Sequence, residues 1–373
     1  MAIRPESEAD LAEAVRAATG ALHLRGGGTR AAGPVVGEVL ETTGLTGITL
    51  YEPGALTLVA RAGTPLSEIE EALTAENQRL AFEPMDHRAL LGTEGTPTIG
   101  GAVAVNASGP RRVVAGACRD SLIGVRFVDG SGTIIKNGGR VMKNVTGYDL
   151  VKLLAGSHGT LGVLSEVSFK VLPGVEATTT LTLNGLDVDT AIKAMAAAMG
   201  SPFEVSAAAH LPGETPKTHL RVEGFEASVA YRAGRLRDLL APYGDIVMDE
   251  GPGPWADIRD ARALADAPGD VWRVSVKPSD GARVAAALPD ARLVMDWAGG
   301  LVWAAVKPGT DLRAALKDIP GHATLLRAAP ETHARLGRFA PEPAPLAAIA
   351  DGLRAKFDPR GILNPGLMTQ STS

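Results

Sequence analysis

The sequence is short of the residues that carry disulfide, metal and membrane chemistry. A single cysteine, Cys118, excludes an intrachain disulfide and argues against a thiolate metal site. Aromatic residues make up only 4% of the chain, so its cores must be built mostly from alanine, leucine and valine. No apolar run approaches the roughly 18 residues that a membrane span needs. The opening MAIRPESEADLAEA has no basic-then-apolar signal pattern. The expectation is a soluble, cytoplasmic chain. Lysine and arginine are dispersed and the formal net charge is −5, which leaves no electrostatic footprint for nucleic acid.

What the sequence does hold is length, apolar mass and glycine. At about 150 residues per domain, the chain predicts two or three domains. Ser7 to Ala18 predicts a helix with Ser7 as N-cap and Asp10 in the capping-box position. ALHL reads as a short buried strand and ALTLVARAG (55–63) as another. PLSEIEEALTAEN reads as an amphipathic helix begun by Pro65 and Ser67. GVRFVDGSGTIIKNG predicts a hairpin of two alternating runs around Asp129-Gly130. Strands, glycine-rich turns and helices continue in this way to about Pro173.

Beyond about residue 176 the grammar changes. TTTLTLNG, DTAIKAMAAAMG, FEVSAAAHL, THLRVEGF, SVAYRAGRLRDLLAPYG and DIVMD read strand, helix, strand, strand, helix, strand. VWRVSVKP, GARVAAALP, ARLVMDWAG, LVWAAVKP, DLRAALKDI and ATLLRAA repeat that order. This is the ferredoxin-like βαββαβ unit twice over, able to form one antiparallel sheet with helices on one face. APEPAPL (340–346) is a proline-rich linker, followed by a last helix at about Leu346 to Phe357 and the tail DPRGILNPGLM.

LHLRGGGTRAAG (22–33) sets three consecutive glycines between Arg25 and Arg30. Such a run costs backbone entropy, and makes sense where N–H groups converge on a phosphate. No Lys-Ser or Lys-Thr follows at P-loop spacing, and Gly26, Gly28 and Gly33 give G-x-G-x4-G rather than the dinucleotide fingerprint. A flexible surface loop stays open as the alternative. GPGPWA, at Gly251, matches G-x-G-x-x-A, but Pro252 and Pro254 remove donors, so it reads as a turn before a helix. Two companion stretches favour a ligand at the first loop. TPTIGGAVAVNASGP (96–110) and LLAGSHGTLGVLSEVSFKVLP (153–173) place small residues where a backbone could approach a flat molecule closely. A large, extended, phosphate-bearing cofactor would use all three.

RGGGTR, TIGGAVAVNASGP, KNVTGYDLVKLLAGSHGTLGVLSEVSFKVLP and KFDPRGILNPG together resemble the signature regions of the vanillyl-alcohol-oxidase/PCMH-type FAD-binding flavoproteins. Within that family the chain is similar over nearly its whole length to the smaller FAD-binding subunits of bacterial glycolate oxidase. The resemblance implies an α+β fold: a PCMH-type two-part FAD-binding domain (1–176), a cap built of two ferredoxin-like βαββαβ units (177–335), and a linker, helix and tail (336–373) returning to the FAD domain. It implies that Gly26, Gly27, Gly28 and Thr29 hold the FAD pyrophosphate, and that Pro84, Met85 and Asp86 line the flavin cleft. It further implies that Thr98, Ile99, Gly100, Gly101 and Ala104 pass along the flavin and ribityl chain. Gly159, Thr160, Gly162 and Val163 would contact the isoalloxazine or adenine side, and Asn364 would close the pocket. Implied partners are a larger FAD-binding catalytic subunit, an iron–sulfur subunit and a small 2-hydroxy acid, with attachment at the inner membrane only through those partners.

The chain departs from family habit in several places. Many members bind FAD covalently through a histidine beside the phosphate loop. Here His23 lies three residues before Gly26 on the predicted strand, so non-covalent FAD is expected. The GEHG-type motif and metal of related catalytic subunits are missing, so no metal is expected. His210 and His219 could pair on adjacent strands, but with no third ligand in view they read as ordinary strand histidines. His158 could bond the flavin or face solvent. Oxidising a 2-hydroxy acid needs a hydride acceptor, a base and a cation for the carboxylate. Arg111, Arg112, Arg119 and Arg327 are candidate cations, with Arg111-Arg112 first or else a solvated basic turn. No base stands out, so the catalytic residues remain unassigned. Two functions follow: an oxidoreductase subunit turning over glycolate with its partners, or an FAD-binding assembly or electron-relay subunit. A stand-alone 2-hydroxy-acid dehydrogenase is a third.

Overall fold

The computed structural model describes residues 2–30, 36–139 and 147–368. The first helix, Glu8–Ala17, begins as its sequence dictates. The Ser7 hydroxyl accepts the Asp10 N–H while the Asp10 carboxylate accepts the Ser7 N–H. The helix buries Leu11, Ala12 and Val15 against Leu22 and Leu40 of a parallel strand pair, Leu22–Arg25 and Glu38–Glu41. A five-stranded sheet follows, in the order Ile48–Glu52, Thr57–Arg61, Val163–Lys170, Leu122–Val128, Ile134–Gly138. Helices Leu66–Ala75 and Ile99–Ala104 contribute Ile69, Leu73, Ile99 and Val103 to its core, around Phe127 and Phe169. The predicted hairpin forms, but its loop is longer than a two-residue turn at Asp129-Gly130. The Asp129 carboxylate accepts the N–H groups of both Ser131 and Thr133 and so rounds the chain over 129–133.

The second half is one antiparallel eight-stranded sheet. Its order is Ile246–Glu250, Ala177–Asn184, Lys217–Gly224, Val205–Leu211, Arg292–Asp296, Leu301–Val306, Asp270–Val276, Gly321–Arg327. Each half of it is a βαββαβ unit, and the two meet where His210 pairs with Met295. Side chains alternate across the strands. Leu181, Leu220, Trp272 and Val302 pack with the helices Val188–Met199 and Glu226–Leu240 on one face. Val271, Val294 and Trp303 point the other way, onto Met85 and Leu90 of the first half.

That seam carries a buried ion lattice. Glu83 accepts Nη1 of Arg221 at 2.8 Å, Nη2 of Arg221 at 3.1 Å and the backbone N–H of Arg111 at 2.6 Å. Glu223 accepts Nε and Nη2 of Arg111 at 3.1 and 2.9 Å and Nη1 of Arg79 at 2.8 Å. Arg221 also lies over the ring of Trp255, 4.9 Å from its centre. Burial alone would raise both carboxyls. The arginines, led by Arg221 for Glu83 and Arg111 for Glu223, hold both below the usual carboxylate range. Asp296, on the same face, has only the Trp297 N–H, and burial pushes it up to about 7.

The tail comes back to the first strand. The Leu22 N–H donates to the Ile362 carbonyl and the Asn364 N–H to the Leu22 carbonyl. Arg360 donates to the carbonyls of Arg16 and Ala18 at the end of the first helix. These are acceptors that the helix itself leaves unmet.

Glu223→Gln should cost about 3–5 kcal/mol, because it strands buried arginines, and urea unfolding at pH 7 measures it. The stabilisation from Glu83 and Glu223 is complete above the ordinary carboxylate range and is lost as pH falls through their depressed values, so the variant should show a shallower acid decline. Asp296 has the opposite sign. Its ionised form is disfavoured in the fold, so it costs stability progressively from about pH 4 to 7. Asp296→Asn should therefore stabilise at pH 8, by up to a few kcal/mol, and have little effect at pH 4. Equal gains at both pH values would contradict this.

Candidate cofactor-binding site

The strand Leu22–Arg25 delivers the glycine run to the edge of a groove. Asn364 fixes that delivery. Its Oδ1 accepts the Leu24 N–H at 2.8 Å and its Nδ2 donates to the His158 carbonyl at 2.9 Å, so one side chain joins the strand, the tail and the 156–163 loop. The His158 N–H in turn donates to the Ala104 carbonyl. The groove runs in two continuous compartments. One is lined by Gly26 to Arg30, Thr98, Gly101 and Arg338; the other by Thr42, Ala62, Gly100, Gly159, Gly162 and Val163. Leu24, Arg25, Gly26, Gly101, Ala104, His158 and Asn364 line both.

Residues expected from the sequence divide accordingly. Gly26, Gly27, Gly28, Thr29, Thr98, Gly100, Gly101, Ala104, Gly159, Gly162, Val163 and Asn364 line the groove. Ile99 is fully buried in the core behind it. The Thr160 hydroxyl is turned inward to the Ser157 carbonyl. Pro84, Met85 and Asp86 sit outside the lining: Met85 packs at the seam, and the Asp86 N–H donates to Asp260. Lys143 to Thr146 of the KNVTGYDL motif lie outside the described residues.

The local chemistry fits a diphosphate and a flat ring. A Cβ on Gly27 would stand 1.7 Å from the Thr96 carbonyl oxygen, so backbone packing alone demands glycine there. Gly101 is different. Its missing Cβ would lie 3.1 Å from both Arg30 Nη1 and Thr98 Oγ1, and a side chain there would enter the groove. Arg30 donates Nη2 to the Met85 carbonyl at 3.2 Å, and among the described residues its buried Nε has no partner and no carboxylate bonds it. Burial lowers its pKa to about 10, so it stays a cation at neutral pH. A buried cation beside a glycine loop that lines the groove is what a pyrophosphate needs.

The sequence did not place several of these lining residues at the site, among them Arg30, Ala62 and Leu24. The flanking arginines were its one signal. Arg25, the other flank, pairs with Glu41. His158 does not face open solvent: its ring packs edge-on to Phe339, 4.9 Å between centres, and burial pushes its pKa down to about 3. His210 and His219 bond Thr218 and Thr182 through Nδ1, and no His/Cys/Asp/Glu cluster suited to a metal occurs among the described residues.

Residues 1–138 match the FAD binding domain family, and with the relatives this makes the chain an FAD-dependent oxidoreductase. The chain is 36% identical over 337 residues to glycolate oxidase subunit GlcE of Escherichia coli (strain K12), covering 90% of this chain and 88% of that protein. It belongs to the GlcE family of flavoproteins, and FAD is its cofactor. It is also 34% identical over 164 residues to a D-lactate dehydrogenase of Archaeoglobus fulgidus, over 43% of this chain and 35% of that one. Among solved structures, alkyldihydroxyacetonephosphate synthase shares the fold, with a TM-score of 0.68 at 15% identity, over 97% of this chain and 76% of that one.

Gly101→Asp should weaken FAD retention by about tenfold or more, since a carboxylate in the groove repels the diphosphate and engages Arg30. Far-ultraviolet dichroism should stay unchanged while the ratio of flavin to protein absorbance falls. Full flavin occupancy would show that this groove is not the FAD site.

Proposed function

We propose that this chain is the FAD-binding subunit of a multisubunit glycolate oxidase, oxidising glycolate or a similar 2-hydroxy acid to the 2-oxo acid, here glyoxylate. The observation that carries this reading is the near full-length kinship with GlcE. In it, residues 1–176 with the returning 336–373 hold the cofactor, and 177–335 cap it. Gly26 to Thr29 and Arg30 hold the pyrophosphate. Thr98, Gly101 and Ala104 leave room for the rest of the molecule, and Asn364 locks the wall behind it. Bound FAD supplies the hydride acceptor.

In this reading FAD is held without a covalent bond. His23 lies on the strand wall, paired in register with Val39, and is not part of the loop. Electrons leave the flavin toward an iron–sulfur subunit, beside a larger flavoprotein subunit. Iron–sulfur clusters take about four cysteine ligands, and this chain has one cysteine. No helix among the described residues is long and apolar enough to cross a membrane. The reading therefore places the chain in the cytoplasm, reaching the inner membrane only through partners.

Acid precipitation should release all the FAD into the supernatant; flavin left on the polypeptide would overturn the non-covalent assignment. Anaerobic titration with glycolate should bleach the flavin of the chain in its complex. Bleaching of the complex that survives when this chain's flavin has been removed would point instead to an assembly or relay role.

A further inference from the structure

The seam holds a second cationic cluster that the ion lattice does not neutralise. Arg112, from the short helix Arg112–Ala115, lies over the ring of Trp297, 4.5 Å from its centre. Arg273, from the strand Asp270–Val276, lies 5.2 Å from the centre of the same ring and 5.9 Å from that of Trp303. Trp297 is fixed in turn, because its Nε1–H donates to the Gly109 carbonyl at 3.0 Å. Among the described residues neither guanidinium bonds a carboxylate or any other acceptor. Asp120 acts on Arg112 only at longer range, and no acidic group relieves Arg273. His322, on the neighbouring strand, feels both cations.

The contrast with Arg79, Arg111 and Arg221 is the point. Those three share two glutamates. Arg112 and Arg273 are partly withdrawn from water, bond no acceptor among the described residues, and rest on ring faces. Cation–π contact offsets part of that cost and leaves the N–H forks free to donate to an incoming acceptor. A planar fork with free donors matches a carboxylate. The cluster is linked to the groove through one residue of the seam. Trp297 and Trp303 pack with Met85, whose carbonyl receives Arg30 from the cofactor loop.

We infer that Arg112 and Arg273 form the site that receives the carboxylate of the 2-hydroxy-acid substrate, with Trp297 as the plate that orders both guanidiniums. This rests on the proposed 2-hydroxy-acid reading and adds the residues that would read the acid. No residue on the first half alone, or on the cap alone, makes the site; it exists only when the seam is closed.

The probe is oxalate, a non-oxidisable dicarboxylate, titrated by calorimetry into the FAD-loaded full chain. We expect saturable binding that weakens by about tenfold or more in Arg273→Gln and in Arg112→Gln, with flavin absorbance unchanged and partial rescue in Arg273→Lys. Arg112, on the less buried helix, keeps the test open if Arg273→Gln fails to fold. Absence of saturable binding to the wild-type chain, or wild-type affinity in a folded Gln variant, would overturn the assignment. Saturable, arginine-dependent binding in a chain whose flavin glycolate never bleaches would support the carboxylate site while rejecting turnover by this subunit.

Discussion

The structure depends on charge that has been taken out of water and paired across a seam. Glu83 comes from the first half of the chain and Glu223 from the cap sheet, and arginines from both halves bridge them. Desolvating such groups costs several kcal/mol per ion, so the lattice adds little net stability over a well-packed apolar seam. What it does supply is register. An apolar seam of valine and alanine would tolerate sliding, whereas a fork-to-fork Arg221–Glu83 pair has one geometry. The same seam is also spanned by the Trp297 to Gly109 bond and the packing of Met85 against Trp303.

The groove is aligned by a second device of a different kind. There a single amide, Asn364, ties three segments that are distant in sequence. Its backbone sits at φ +44°, a left-handed conformation that asparagine tolerates better than most residues. The tail is therefore a structural part of the groove wall, which is incomplete without Asn364 docked on the first strand.

Much of this was legible in the sequence because it depends on local patterns. The capping box at Ser7, the glycine run and the doubled βαββαβ order are written in residue spacing, and the structure has them where spacing puts them. Other features depend on long-range geometry and leave no local mark. The helix Ile99–Ala104 was hidden in a run of glycine, alanine and valine, although its N-cap, Thr98, is a helix-starting residue. The role of Gly27 follows from where Thr96 happens to pass. Arg111 and Arg112 are neighbours in sequence with the same side chain, yet one is bonded within the lattice and the other lies on Trp297. No reading of Pro110-Arg111-Arg112 could separate them.

That separation shows how the arginines of this fold sort by their partners. Arg79, Arg111, Arg221 and Arg259 meet carboxylates and hold elements together. Arg313, Arg327 and Arg360 donate to backbone carbonyls at chain turns and helix ends, where orphan acceptors collect. Arg30, Arg112 and Arg273 have neither a bonded carboxylate nor a full set of acceptors. A buried cation left in that state is a standing cost to folding, and a fold can bear it where an anion arrives from outside. Arg30 lies at the glycine loop and the other two lie at the seam. A flavin cofactor and a hydroxy-acid substrate bring two anionic groups, a diphosphate and a carboxylate. In the proposed reading, Arg30 answers the diphosphate, and Arg112 with Arg273 answers the carboxylate.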